Sequence, residues 1–319
     1  MNRIKLKPLK IGKLKIDSPI ILAPMVDITD LPYRLVCRKA GASLCYTEML
    51  YIDAIIYEND KTKRLMQTNK RDKPLGIQIT GNNLNHFKKA IPYLKKYDFV
   101  DLNCGCPSEK LIKSKAGSYL LSNPKLIQEI IKLLKQNKLT VTAKIRLGFN
   151  KNNVLEIAKT IEKAGADAIT IHPRLATQGY ETKADWNEIK KIKQSIKIPI
   201  IANGDILSSE DAIRCLKETN CNGIMIARGA IGNPFLFKQI KRQLKTSKPL
   251  PFSFKDNLNY LKLYLKLCKK HKFSDIGRIK RISCKFIKGI QRAGETRNEI
   301  MRLQSISEIE KLIKDKILI

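Results

Sequence analysis

Residues 98–117 read DFVDLNCGCPSEKLIKSKAG, a strand, a turn and a loop in one short span. The apolar run that ends at Asn103 has the character of a buried strand. Gly105 and Pro107 stop it, and Cys106 lies between them. One thiol is therefore carried just past the carboxyl end of a strand, where α/β folds assemble their sites. Taken alone, such a cysteine reads two ways, as a small packed residue beside a turn or as a reactive group.

The same kind of run recurs on both sides. PIILA (19–23), SLCYT (43–47), LGIQI (75–79), DFVDL (98–102), TVTAKI (140–145), DAITI (167–171), IPIIA (198–202) and GIMIA (223–227) all read as buried strands. Helical periodicity fills the gaps: Leu84, Phe87, Ala90, Ile91 and Leu94 in one, and Leu126, Ile127, Ile130, Ile131 and Leu134 in another. Val154, Leu155, Ala158 and Ile161 mark a third. Strand then helix, about eight times in about 230 residues, predicts an α/β chain folded as a (β/α)8 TIM barrel, with a doubly wound sheet as the competing fold. KIGKLKIDSPI (10–20) reads as a hairpin closing the bottom of the barrel.

A barrel gathers the residues past each strand onto one face. Here they are Pro24-Met25, Glu48, Gln78, Asn103 with Cys106, Lys144 with Arg146, His172 with Arg174, Asn203-Gly204-Asp205 and Arg228-Gly229. The result is a mouth of amides, cations, one imidazole and one thiol. Each residue alone has a structural reading as a solvated lysine, a satisfied histidine or a loop cap; their coincidence at strand ends favours a site. In IANGDI and ARGAIGNP, small residues let backbone N–H groups approach an anion, where barrels commonly seat a phosphate, and Arg228 adds a charge. A phosphorylated cofactor in the mouth is expected.

The chain has 62 Lys and Arg against 29 Asp and Glu, a formal charge of +33. This fits a polyanionic partner, nucleic acid above all, or a general lysine bias. Residues 255–292 concentrate it, with twelve Lys and Arg against Asp256 and Asp275 alone. The stretch SKPLPFS (247–253) reads as a linker, which divides the chain into a barrel domain, 1–246, and a smaller all-α helical domain, 247–319. In the latter, Leu258, Leu261, Leu265 and Cys268 form one apolar stripe, and Ile279, Ile282, Phe286, Ile287 and Ile290 another. The eight cysteines are scattered without a CxxC pair and accompany only three histidines, so no metal site is expected. No apolar run approaches the roughly 18 residues of a membrane span, and the basic start lacks the features of a signal peptide. No membrane association and a cytoplasmic location are expected.

With these residues assembled, the chain resembles the tRNA-dihydrouridine synthase family, flavin enzymes that reduce uracil in tRNA. The matching motifs are APMVDITDLPYR (23–34), IQITG (77–81), DLNCGCPSEKLIKSKAGSYLL (101–121), TAKIRLG (142–148), IHPR (171–174), IANGDI (201–206) and ARGAIGNPFLF (227–237). KRISCKFIKGI (280–290) and ETRNEI (295–300) resemble the family's helical RNA-binding extension. The resemblance implies FMN in the mouth, with Pro24 and Met25 against the ring and Gln78, Lys144 and His172 at its polar edge. Asn203, Gly204, Arg228 and Gly229 would lie at the phosphate end. Asn103, Arg146 and Arg174 would serve the uracil or its developing charge, and Cys106 would be the catalytic acid, with Cys104 left to packing. NADPH or NADH is expected as reductant and tRNA as partner; the oligomeric state stays open, and a monomer suffices.

The chemistry requires such groups. Reducing uracil across C5–C6 takes a hydride, which no side chain supplies but a flavin does, and a proton from an acid. A free thiol, with an ordinary pKa near 8.5, is mostly protonated at neutral pH yet able to protonate an enolate-like carbon. A uracil in folded tRNA must also leave its stack, at a cost of a few kcal/mol drawn from binding elsewhere. Two other classes remain open on the residues alone: a flavin barrel acting on a free pyrimidine, similar to dihydroorotate dehydrogenases, and a non-catalytic RNA-binding barrel.

Overall fold

The structure is a computed structural model and describes residues 6–289 and 291–317; Ile290, assigned above to an apolar stripe, lies outside the described residues. A hairpin of β1 (Leu9–Ile11) and β2 (Leu14–Ile16) precedes the barrel strands β3 (Ile20–Leu22), β4 (Cys45–Tyr46), β6 (Leu75–Thr80), β7 (Phe99–Cys104), β8 (Val141–Arg146), β9 (Ala168–His172), β10 (Ile200–Asn203) and β11 (Gly223–Ile226), with a short extra strand, β5 (Leu50–Tyr51), beside β6. The order is β3-β11-β10-β9-β8-β7-β6-β4, with all neighbours parallel. A bridge between Ile21 and Leu44 joins the ends, with Leu22 N–H donating to Leu44 O at 3.0 Å. This is the barrel, and the open doubly wound sheet is ruled out.

Strand alternation sorts the core into two compartments. Ile21, Leu44, Tyr46, Phe99, Ala168, Ile201 and Met225 point inward and form one cluster with Leu9, Ile11 and Ile16 of the hairpin. The hairpin thus plugs the bottom, as expected. The alternate residues, among them Ile20, Ile77, Val100, Leu102, Cys104 and Ile145, pack outward against the helices.

Between the strands run α1 (Leu31–Ala40), α4 (Leu84–Leu94), α6 (Pro124–Gln136), α7 (Val154–Lys163), α8 (Trp186–Ser195), α9 (Ser209–Thr219) and α10 (Phe235–Thr246), with short α2 (Ile52–Ile56), α3 (Asp60–Leu65) and α5 (Glu109–Lys113). Side chains that take orphan N–H groups start several of them, such as Asp30 for α1, Asn83 for α4 and Ser208 with Asp211 for α9.

Two local expectations are corrected. Leu155 faces solvent, and Ile157 takes its place on the buried face of α7. The second barrel strand breaks after Tyr46 because Thr47 Oγ1 accepts the Gln78 N–H at 3.1 Å, and the chain resumes pairing with β6 only at Leu50. The interruption turns Met49 towards the mouth.

After residues 247–253 the chain forms α11 (Phe254–Lys270), α12 (Ile276–Phe286), α13 (Ala293–Arg302) and α14 (Ile306–Ile317). The stripe residues Leu258, Leu261, Leu265, Cys268, Ile279, Ile282, Phe286 and Ile287 are buried in the same apolar cluster as the outer faces of the barrel strands. Tyr264 and Phe286 meet Tyr33 of α1 edge-on, at 6.0 and 6.3 Å between centroids. Apolar packing therefore runs unbroken from the barrel into these helices. Lys262, Lys266, Lys270, Arg281 and Lys285 stand on their exposed faces.

Candidate active site

The parallel register aligns Gln78 with Asp101 and Asp101 with Thr142, so three inward side chains share one level of the barrel. One level higher, Asn103 pairs with Lys144. Asp101 is fully buried; its Oδ1 accepts from Thr142 Oγ1 at 2.6 Å and its Oδ2 from Gln78 Nε2 at 2.7 Å. Burial pushes its pKa up to about 6, against the pull of these two donors.

An ionised carboxylate only accepts, which fixes the direction of everything above it. Gln78 must turn its NH2 to Asp101, so its Oε1 accepts from Asn103 Nδ2 at 2.9 Å. Asn103 Oδ1 then accepts the N–H groups of Gly105 and Cys106 at 3.1 and 3.0 Å. Each amide keeps one N–H outside these bonds, and the same chain of bonds sets the backbone of Cys106.

That space is a cavity of about 360 Å3 at the carboxyl ends of the strands. Pro24, Met25, Gln78, Asn103, Cys106 and Lys144 lie on its wall, joined by Arg146, His172, Asn203, Gly204 and Arg228. The loop after Cys106 is drawn in by Gly117, whose N–H donates to Thr80 Oγ1 at 2.9 Å. Its φ of +61° and the Cys106 carbonyl, 2.7 Å from where a Cβ would stand, admit only glycine. Cys104 is fully buried on the outer face, and burial drives its thiol pKa well up; it is a packing residue.

Lys144 is pushed down to about 8, by burial first and then by the charge of Arg146. Arg146 is anchored through Nε to Gly105 O at 2.9 Å and through Nη1 to Leu175 O at 2.8 Å. His172 lies far below its ordinary value because burial and the surrounding cations Lys144, Arg146, Arg174 and Arg228 disfavour the charged ring. Arg174 Nη1 donates to His172 Nε2 at 2.9 Å, so the neutral ring carries its proton on Nδ1.

Two expected residues are not on the wall. Arg174 is buried behind His172, held by Asp205 through both oxygens (2.8 and 2.7 Å) and by Thr182 O at 2.6 Å. Gly229 lets its loop pack on its neighbour: a Cβ there would meet Ile206 O at 2.5 Å. Asp205 also accepts from Arg228 at 2.9 Å. Burial raises its pKa, but the hydrogen bonds of Arg174 and Ala184 and both arginine charges outweigh that and hold it below the carboxylate range. Sequence reasoning missed Asp101 and Tyr180. The first was visible as an acid at an inward position of a buried strand. The second lines the cavity with its ring 3.9 Å from the Arg228 guanidinium carbon, and nothing in the sequence singled it out. Among the described residues no group of His, Cys, Asp and Glu could hold a metal ion, and no helix is long and apolar enough to cross a membrane.

The chain is similar to known proteins along most of its length. The family model described as Dihydrouridine synthase (Dus) matches residues 21–318. A probable tRNA-dihydrouridine synthase of Aquifex aeolicus is 32% identical over 305 residues, covering 93% of this chain and 95% of that protein. The tRNA-dihydrouridine synthase B of Pasteurella multocida is 36% identical over 293 residues, covering 89% and 88%. Among solved structures, an old yellow enzyme homologue from Zymomonas mobilis superposes with a TM-score of 0.56 at 14% identity, covering 79% of this chain and 95% of that one, a likeness of fold. Since the family model runs through the barrel, the cavity loops and the terminal helices alike, the chain belongs to the dihydrouridine synthase family.

Proposed function

We propose that this chain reduces uridine in tRNA to dihydrouridine with FMN in the cavity, NADPH or NADH as the source of electrons, and Cys106 as the acid that protonates C5. The observation that carries the reading is the placement of the Cys106 segment, on one wall with Gln78, Asn103, Lys144 and His172. The residues present fit a flavin. Gln78, Lys144 and the Nδ1–H of His172 offer donors, and an isoalloxazine edge is rich in acceptors. Met25, Ile206 and Ile231 supply apolar wall, and Arg228 with the loop at Gly204 suits a phosphate.

When bound, the reduced flavin supplies the hydride that uracil C6 requires. The remaining work belongs to the chain. Asn103, oriented from below by Gln78, offers an N–H to a uracil carbonyl. Lys144 and Arg146 hold positive charge where negative charge grows on the uracil. Cys106 gives its thiol proton to C5, and its backbone is fixed for this by Asn103. Arg174 acts through His172 and Asp205 rather than on the uracil. The exposed lysines and arginines of α11 and α12, within residues 247–319, suit phosphate contacts that would offset the turning-out of the base. A tRNA substrate makes the cytoplasm the place of action.

The test is to incubate the FMN-loaded full chain with unmodified tRNA and NADPH and to map dihydrouridine by mass spectrometry. Site-specific addition of two hydrogens is expected. Unchanged tRNA alongside reduction of a free pyrimidine would replace this reading with that of a pyrimidine reductase.

A further inference from the structure

The cavity wall at Met25, Val26 and Ile28 is a tight loop between β3 and α1, and its geometry is set from the far end of the chain. Asp27, at the loop's tip, has a φ of +63°, a left-handed conformation that a non-glycine residue keeps only when its surroundings impose it. Its N–H donates to Glu48 Oε2 at 2.8 Å, and its carboxylate accepts from Arg278 Nη2 at 2.8 Å. The other arm of the same guanidinium, Nη1, donates to Glu48 Oε1 at 2.6 Å. Arg278 and Glu48 side chains are 5% and 2% exposed, so the arm to Glu48 is a buried pair, while the arm to Asp27 reaches an exposed carboxylate. Asp275, the N-cap of α12, also faces Arg278, at 3.7 Å from Nε, and the Phe273 ring covers the guanidinium. At the loop's other end Asp30 caps α1 and accepts from Tyr264 of α11 at 3.1 Å. Four carboxylates, those of Asp27, Glu48, Asp30 and Asp275, thus gather at a loop that faces the cavity, and the cation among them comes from α12.

We propose that Arg278 is a positioning residue for the cavity: by bridging Asp27 and Glu48 it holds the Met25–Thr29 loop in the shape that receives the flavin, so that the C-terminal helices are part of the cofactor site. The second half of this inference rests on the flavin reading of the cavity; the first does not. A second contact points the same way. Asn257 of α11 donates to Gly232 O at 2.7 Å, and Tyr33 takes the Gly232 N–H at 3.0 Å, which fixes the loop that follows Arg228.

The experiment uses the full chain, with hydrogen–deuterium exchange of peptides covering residues 24–30 and an FMN titration on each variant. Arg278→Met is expected to speed exchange in that segment and to weaken FMN binding by about tenfold or more, the effect of losing a charged buried partner. Arg278→Lys keeps the charge but cannot fork, and an intermediate result is expected; it also serves if the methionine variant does not fold. Removing the stranded charge as well, in Arg278→Met with Glu48→Gln, is expected to recover part of the loss. Leu261→Ala, a cavity in the same interface, is expected to lower the melting temperature without a local rise in exchange at 24–30. Unchanged exchange at 24–30 in Arg278→Met, or a rise spread evenly over the molecule, would overturn the proposal. Failure of the wild-type chain to bind FMN would instead count against the flavin reading, and the exchange data would still decide the role of Arg278.

Discussion

Gln78 Nε2 lies 2.7 Å from Asp101 Oδ2, and this bond decides which end of the Gln78 amide the cavity meets. Because the ionised acid below only accepts, Gln78 turns its oxygen to Asn103, whose Nδ2 keeps one N–H outside these bonds. A buried carboxylate out of reach of the ligand thereby sets the polarity of the surface that is within reach.

Asp101→Asn removes that polarity and one titration. The folded pKa of about 6 lies above the ordinary value of 3.8. The stability linked to it is fully present below the unfolded value and is lost as pH rises through about 6. Wild-type protein should therefore gain about 1 kcal/mol between pH 7 and pH 5 relative to Asp101→Asn, read by urea unfolding at both pH values. Equal pH dependence in the two proteins would refute the assignment.

Cys106→Ala should keep flavin and fold while losing roughly a hundredfold or more in dihydrouridine formation, measured on reduced enzyme in a single turnover. Cys104→Ala should keep the rate and lose about 1 kcal/mol of stability, since that thiol packs among helices.

Lys144 should impose an alkaline limb. Its ammonium is deprotonated as pH rises through about 8, and the rate of uracil reduction should fall over that range. In Lys144→Met the reaction should be slower by roughly a hundredfold at pH 7, with this limb missing from the pH–rate profile.

Gly117→Ala should act on geometry alone. The new Cβ must enter a left-handed backbone against the Cys106 carbonyl. A loss of about 1–3 kcal/mol in stability and a lower kcat are expected, with FMN affinity nearly unchanged, by thermal melts and flavin titration.

The fold was legible because the strands are short apolar runs buried on both faces, and turn residues separate them. The mouth was legible because Gln78, Asn103, Lys144 and His172 are inward positions near the carboxyl ends of their strands. Asp101 was in view but its task was not, because the row Gln78–Asp101–Thr142 exists only through strand register. The turn at Thr47 depends on one side-chain bond replacing a ladder bond. Arg278 meets Glu48 from 230 positions away, a pairing that no local pattern encodes. Arg174 looked like a ligand group because it follows a strand, but Thr182 O and Asp205 hold it behind His172.

Leu9, Ile11 and Ile16 pack beneath the inward side chains, so the cavity at the mouth is closed from below. If the proposed flavin is reduced and reoxidised there through one opening, electron donor and uracil are expected to take turns. Initial rates measured against both should give parallel lines in double-reciprocal form, the kinetics of an enzyme that must see one guest out before admitting the next.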